Sequence, residues 1–231
     1  MRERVVEPEL MDDASLEGRR HAAALRGLAR LNRLSGAGRA VYDAMADLTA
    51  RATPERPVRV LDLASGGGDG AIALASRGGG RVRVHGCDVS ERAVHRATAA
   101  ARQAGVAARF FVRDVVREPL PEGYDVITCS LFLHHLATDT AGDLLKRMRT
   151  AAGCRVIIDD LHRSRLNRAL VAAASRLVTR CDVVHVDGVR SVRAAFTAME
   201  LRQLADEAGL RGARIRRRHP WCRLLLTWSR P

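Results

Sequence analysis

The stretch VLDLASGGGDGAIALA, residues 60–75, decides the fold. Residues 58–63 (VRVLDL) read as a short apolar strand after Pro57, glycines follow at once, and a helix opens over 70–76. Asp62 precedes Gly66, Gly68 and Gly70 in the pattern D-x-x-x-G-x-G-x-G across this strand-to-helix turn. Glycine lets the backbone turn sharply and approach a ligand where a Cβ would collide. The helix that follows aims unpaired N–H groups and the positive end of its dipole at the same place. A glycine-rich turn alone is also an ordinary tight turn, so its company decides the reading.

Two further acids keep that company. Asp88 ends a second strand over 82–87 (VRVHGC), where a carboxylate can accept from both hydroxyls of a ribose. Asp114 follows a third strand over 108–112, where a carboxylate can accept from an adenine amino group. Any one of these acids would pass for a loop or cap residue. Three of them at the carboxyl ends of successive strands face one crevice, which is where open α/β sheets bind their ligands. Jointly Asp62, Asp88 and Asp114 describe an adenosine site.

The alternation continues outward. An alanine-rich helix over 91–105 ends at a glycine, residues 124–133 (YDVITCSLFL) read as a central buried strand, 143–150 as a helix and 154–159 as a fifth strand. Such alternation builds a parallel sheet from βαβ units. Thr197 and Glu200 form a capping box that starts a helix ending near Gly209. Strand-like runs over 213–217 and 223–229, joined by a short turn with Pro220, must pair antiparallel, because a parallel crossover needs a dozen or more residues. Before the sheet, 19–34 carries Leu25, Leu28, Leu31 and Leu34 at helical spacing; after it, 163–180 carries Leu166, Leu170, Leu177 and Val178 on one stripe with arginines elsewhere.

In the motifs LDLASGGGDG (61–70), GCDVS (86–90), RDV (113–115) and DVITCSLFLHHL (125–136), the chain resembles the class I S-adenosylmethionine-dependent methyltransferases. It is most similar to their small-molecule branch, which includes the ubiquinone and menaquinone biosynthesis enzymes. The resemblance covers roughly residues 55–231. It implies a Rossmann-like, mostly parallel seven-stranded α/β sheet with an antiparallel C-terminal strand and helices on both faces. It also implies S-adenosylmethionine (SAM) as cofactor. On that resemblance Gly66, Gly68 and Gly70 pack against the methionine portion, Asp88 holds the ribose, Val89 lies against the adenine, and Asp114 with the Val115 amide binds the adenine edge. Ser130 sits near the sulfonium. The chain has Ala64 where the family usually has glycine.

Residues 1–50 are then expected to form a helical lid segment and 51–231 the cofactor-binding domain, with a helical insertion at about 163–196. The lid residues Asn32 and Arg33, the helix from Arg163 and the segment HVDGVRSVRAAF (185–196) are expected to cover the acceptor.

Composition bounds the alternatives. The chain has 231 residues, 47% hydrophobic, enough for one buried core and short of two comfortable ones. No apolar run approaches a membrane span, and the charged N-terminus lacks a signal peptide's apolar stretch, which points to the cytoplasm. Cys87, Cys129, Cys154, Cys181 and Cys222 are scattered singly, so reduced thiols are expected, with neither disulfide framework nor zinc. The net charge of +13 invites a nucleic-acid partner. Yet Lys146 is the sole lysine, the arginines are dispersed, and aromatic content is 3%, poor for base stacking. A solvated arginine-rich surface is the better reading, and nucleic acid is not expected. The helix over 163–180, with its leucine stripe and its arginines, leaves ordinary core packing, a lid, a dimer surface and a face lying on membrane lipid all open.

Two other chemistries compete. Gly66-x-Gly68-x-x-Ala71 with Asp88 fits a NAD(P)-dependent oxidoreductase, but that reading explains neither Asp62 nor Asp114. An RNA methyltransferase suits the charge. Methyltransferases of base amino groups carry an Asn/Asp-Pro-Pro-aromatic motif after the fourth strand, however, where this chain reads Ser130-Leu131-Phe132-Leu133. A small hydrophobic acceptor of phenolic, quinol or polyketide type is therefore expected, methylated at oxygen in preference to carbon. A phenolic acceptor with a pKa near ~10 benefits from a general base. Of His134, His135, His162 and His185, the favoured candidates are His135 and His162, at carboxyl ends of strands bordering the crevice.

Overall fold

A computed structural model describes residues 3–12, 18–20, 23, 24, 27, 30, 36–218 and 223–231. One seven-stranded sheet organises it, in the order β3-β2-β1-β4-β5-β7-β6. The strands are β1 (Val58–Leu63), β2 (Val82–Asp88), β3 (Ala108–Val112), β4 (Tyr124–Ser130), β5 (Ala152–Leu161), β6 (Arg214–Arg218) and β7 (Arg223–Ser229). The first five run parallel, and β7 inserts antiparallel between β5 and β6. This is the mostly parallel sheet with an antiparallel C-terminal strand that the sequence implied. The chain winds from β1 outward to β3, then returns to the other side of β1 with β4. That reversal opens a crevice at the carboxyl ends of β1 and β4.

The helices are α1 (Ala37–Asp43), α2 (Ala46–Arg51), α3 (Asp69–Gly78), α4 (Glu91–Gln103), α5 (Thr138–Ala151), α6 (Arg165–Val178), α7 (Asp182–Ala194) and α8 (Ala198–Glu207). Because side chains alternate across a strand, β1 feeds two cores. Val58 and Val60 pack with Val84, Val126, Leu74 of α3 and Met45 between α1 and α2. Leu61 and Leu63 pack on the opposite face with Ile127, Leu144 and Met148 of α5, Leu204 of α8, and Leu226 and Trp228 of β7. The Thr197–Glu200 capping box starts α8 as read from the sequence.

Two expectations need correction, and for the helix over 163–180 the choice of readings narrows away from core packing. The central strand stops at Ser130 rather than residue 133: Leu131 adopts a left-handed φ of 54°, and a single 3-10 turn, Leu133–His135, follows. The helix expected from Asp143 begins at Thr138, because Ala141 and Gly142 bury against its neighbours despite the turn-like composition of TDTAGD. The leucine stripe of α6 faces out, with Leu166 65% and Leu177 87% exposed, while Asn167 and Ser175 are buried on the inner face toward α7. Leu25, Leu28, Leu31, Asn32, Arg33, Leu34, Pro220 and Cys222 lie outside the described residues. Residues 18–20, 23, 24, 27 and 30 are helical. No helix among the described residues is long and apolar enough to cross a membrane.

Candidate functional site

The turn after β1 is built almost entirely from backbone. The Ser65 amide donates to the Cys87 carbonyl at 2.9 Å, tying the turn to β2, and the Gly68 amide donates to the Ser65 carbonyl at 2.9 Å. Gly66 and Gly68 take φ of 53° and 80°, and Ala64 is held at 50° without glycine's freedom. A Cβ on Gly68 would lie 2.8 Å from both the Ala97 methyl and the Phe110 ring, so that glycine lets α4 and β3 close beneath the turn. A Cβ on Gly66 would meet nothing within 4 Å. The space above Gly66 is thus open, which a ligand cradle requires.

Asp62 and Asp88 lie near the ends of the paired strands β1 and β2, and Asp114 follows β3. Asp62, in β1, is 6% exposed and lies 3.8 Å from where a Gly70 Cβ would stand. Burial, and then the charge of Asp88, push its carboxyl up to about 7. Asp88 accepts from the Gly66 amide and the Ser90 amide, each at 2.9 Å. Ser90 in turn caps α4 by accepting from the Ala93 amide. Val89 beside it is 66% exposed, an apolar side chain left on the rim. Asp114 accepts from the amides of Val116 and Arg117 with one oxygen, while the other stands 3.7 Å from the Arg117 guanidinium. Val115 is buried under it.

Ser130 ends β4 beside Asp159 of β5. With Asp62, Gly70, Ala71 and Thr128 it lines a small cleft roofed by Gly38 and Val41 of α1. Gly38 permits that roof: a Cβ there would fall 2.8 Å from the Ala73 methyl. The Thr128 hydroxyl in this cleft is buried with no hydrogen-bond partner among the described residues, an unmet polar demand of the kind a ligand satisfies.

Beyond Ser130 the backbone turns and presents two histidines. His134 is buried, and its Nδ1–H donates to the Asp160 carboxylate at 2.6 Å. The His134 amide donates to the same carboxylate at 3.1 Å and the Leu161 amide at 2.7 Å. Burial alone would push Asp160 up, but His134 and the Leu161 amide hold it below the usual carboxylate range. His135 stacks on His134 with ring centroids 4.2 Å apart, and its Nε2 is 3.9 Å from Glu9. Burial, then His134, push His135 down to about 4, so its imidazole is neutral near pH 7. His162 is half-buried. Burial and then Arg217 and Arg163 lower its pKa, and its carbonyl accepts from Asn167. His185 Nε2–H donates to the Thr179 carbonyl and belongs to the α6–α7 junction.

Sequence reading missed the strap that brings Glu9 here. Arg4 donates to the carbonyls of His134 at 2.8 Å and Leu136 at 2.6 Å, and lies over the Phe196 ring. The amides of Leu10 and Met11 donate to Asp187 of α7, and the Ser191 hydroxyl donates to Glu9. The only sequence signal was the pairing of HH after one strand with DD at the end of the next. Buried Asp159 is engaged by Arg218 at 2.8 Å and Arg223 at 3.1 Å from the terminal hairpin.

Residues 60–154 match the family model described as "Methyltransferase domain". The chain is 32% identical over 149 residues to ribosomal protein L11 methyltransferase of Syntrophotalea carbinolica, covering 64% of this chain and 46% of that protein. The chain thus spans about half the length of that curated relative. Among solved structures it resembles the plantazolicin methyltransferase BpumL in complex with SAH, with a TM-score of 0.66, 15% identity, and 89% of each chain covered. It also resembles magnesium protoporphyrin IX methyltransferase from Synechocystis PCC 6803 with bound SAH, with a TM-score of 0.61, 19% identity, and 95% of this chain and 90% of that chain covered. The strand order and the solved structures agree on the Rossmann-like fold, and residues 60–154 match a methyltransferase domain.

Proposed function

We propose that this chain, a methyltransferase by domain and fold, transfers the methyl group of SAM to a small hydrophobic acceptor of phenolic, quinol or polyketide type. Oxygen is favoured over carbon as the site of methylation. The observation that carries the cofactor reading is the open cradle over Gly66, closed at one side by Asp88 and floored by Gly68. In this reading Gly66, Gly68 and Gly70 hold the methionine portion, Asp88 the ribose, Val89 the adenine face, and Asp114 with the Val115 amide the adenine edge. Asp62, Thr128 and Ser130 line the cleft on the methyl-donor side. Bound SAM supplies an activated methyl on a sulfonium, so the protein's part is to align acceptor and donor and exclude water. His135 and His162 border the acceptor side as candidate proton acceptors. His135 is a neutral imidazole, the form able to take a proton.

Small-molecule acceptors find support in the neighbours. BpumL has been seen with desmethyl plantazolicin analogues, and an O-methyltransferase from Planctomyces limnophilus, at a TM-score of 0.62, with apigenin. The relative named for ribosomal protein L11 favours a second reading, a protein acceptor, over the stretch it shares.

Titration calorimetry with S-adenosylhomocysteine and then NADPH tests the class. Binding of the first alone is expected, and binding of NADPH instead would overturn the reading. Transfer of labelled methyl to a panel of phenols, quinols and purified ribosomal protein then separates the acceptor classes.

A further inference from the structure

We propose that Glu9, His134 and His135 form a divalent-metal site at the acceptor end of the crevice, of the kind that takes zinc. Their donor atoms all lie within 4.8 Å of one another. A tetrahedral ion with bonds near ~2.1 Å holds its ligand atoms roughly 3.4 Å apart, so small side-chain rotations bring these groups onto one ion. Two imidazoles and one carboxylate are a ligand set that zinc uses in catalytic sites, with a fourth position left for water or substrate.

The surroundings are those of a ligand set and not of a chance cluster. Asp160 occupies Nδ1 of His134 at 2.6 Å, which fixes the tautomer and leaves Nε2 as the lone-pair nitrogen. A carboxylate behind a histidine in this way orients metal-bound imidazoles and raises their basicity. Glu9 Oε1, the oxygen that faces His135, accepts from the Ser191 hydroxyl, which fixes the carboxylate in place. Arg4 pins the backbone of the His134 turn by two carbonyls, so the ligands sit on a fixed frame and not on a free loop. The charges also suit a cation. Asp160 brings a carboxylate near the Arg4 guanidinium, while Arg163 and Glu200 pair with each other. Nothing in the spacing of the cysteines foretold such a site. It depends on a residue from the N-terminal strap meeting a turn far along the chain.

The site deepens the methyltransferase reading without needing it. His134 follows Ser130 by one short turn, and Asp160 follows Asp159, the register partner of Ser130. An ion there stands at the mouth of the crevice, where an acceptor hydroxyl can take its open position and ionise more readily. His135 is then a ligand, and the role of proton acceptor passes to His162.

The test uses the full chain, stripped with chelator. Zn2+ calorimetry and the visible absorption of Co2+ are expected to report one site per chain with tetrahedral character. Glu9→Gln and His135→Asn should each weaken Zn2+ binding at least tenfold, and Asp160→Asn by about 10- to 100-fold. S-adenosylhomocysteine binding should persist in Glu9→Gln and His135→Asn, which shows that they fold. Zn2+ affinity equal in wild type and in both folded variants, or no Co2+ absorption, overturns the site. Loss of S-adenosylhomocysteine binding in the wild type would overturn the methyltransferase reading instead and leave the metal result standing.

Discussion

The Gly66 amide donates to the Asp88 carboxylate at 2.9 Å, so the residue that ends β2 also fixes the glycine turn that follows β1. One carboxylate thereby serves two strands, and its substitution should be felt in both. Asp88→Ala removes the acceptor for two backbone amides and for the proposed ribose hydroxyls. Hydrogen bonds to a charged group contribute about 1.5–3 kcal/mol each. S-adenosylhomocysteine affinity should accordingly fall by roughly 10- to 100-fold for each hydrogen bond that the carboxylate gives up to the ribose. Titration of Asp88→Ala and Asp88→Asn checks this. Unchanged affinity in both would remove Asp88 from the site.

Ala64 sits at φ 50° in a position where glycine is the unstrained residue. The left-handed conformation costs an L-residue roughly 1–2 kcal/mol. Ala64→Gly gives part of that back to unfolded-chain entropy, so a net gain of about 0.5–1 kcal/mol is expected. For a chain of this size that is a rise of roughly 1–4 °C in melting temperature. A fall in melting temperature would mean that packing around the Ala64 methyl is worth more than the strain.

The sheet was legible because its strands announce themselves locally. Apolar runs such as residues 58–63 are bounded by proline and glycine, and the close spacing of the last two forces their antiparallel pairing. The acids proposed to hold adenosine could be placed from sequence because each stands at or near a strand end. The acceptor side was not. His134 meets Asp160 and Glu9 through tertiary packing, and no periodicity connects a strap at residues 4–11 to a turn at 133–135. The end of β4 was misplaced for a related reason: Leu131 is apolar like the strand before it, and its left-handed φ answers to the Leu131 amide's bond to the Asp159 carbonyl. The α6 stripe left several readings open because an apolar face need not be a buried one; the inner face of that helix holds Asn167 and Ser175, both buried.

Asp62 should make stability depend on pH. Its carboxyl is raised by burial, and then by Asp88, from 3.8 to about 7 in the folded chain. A group whose folded pKa exceeds its unfolded one holds its proton more tightly when folded. Its contribution is therefore complete below pH 3.8 and is lost as pH rises through about 7. The melting temperature of the wild type should decline between those limits relative to Asp62→Asn, whose side chain does not ionise. Parallel profiles for the two proteins across that window would show that Asp62 titrates normally.

Arg223 and Asp159 test whether the antiparallel strand is clamped to the parallel sheet by charge. Arg223 is 2% exposed and Asp159 is fully buried; the guanidinium reaches both the Asp159 carboxylate at 3.1 Å and its carbonyl at 2.8 Å. Removing one partner of such a pair leaves a buried charge uncompensated and costs about 3–5 kcal/mol, whereas replacing both with apolar groups is often neutral. Arg218, on the edge strand β6, also reaches Asp159 at 2.8 Å and softens the loss. Arg223→Met is thus expected at the lower end of that range, a drop of roughly 6–12 °C in melting temperature. Asp159→Leu combined with Arg223→Met should recover much of it, unless Arg218, left without its carboxylate, reimposes the cost. Adding Arg218→Gln to that pair separates the cases. If the double variant is as unstable as Arg223→Met alone and the triple variant is no better, the clamp is packing by the arginine stem, not charge.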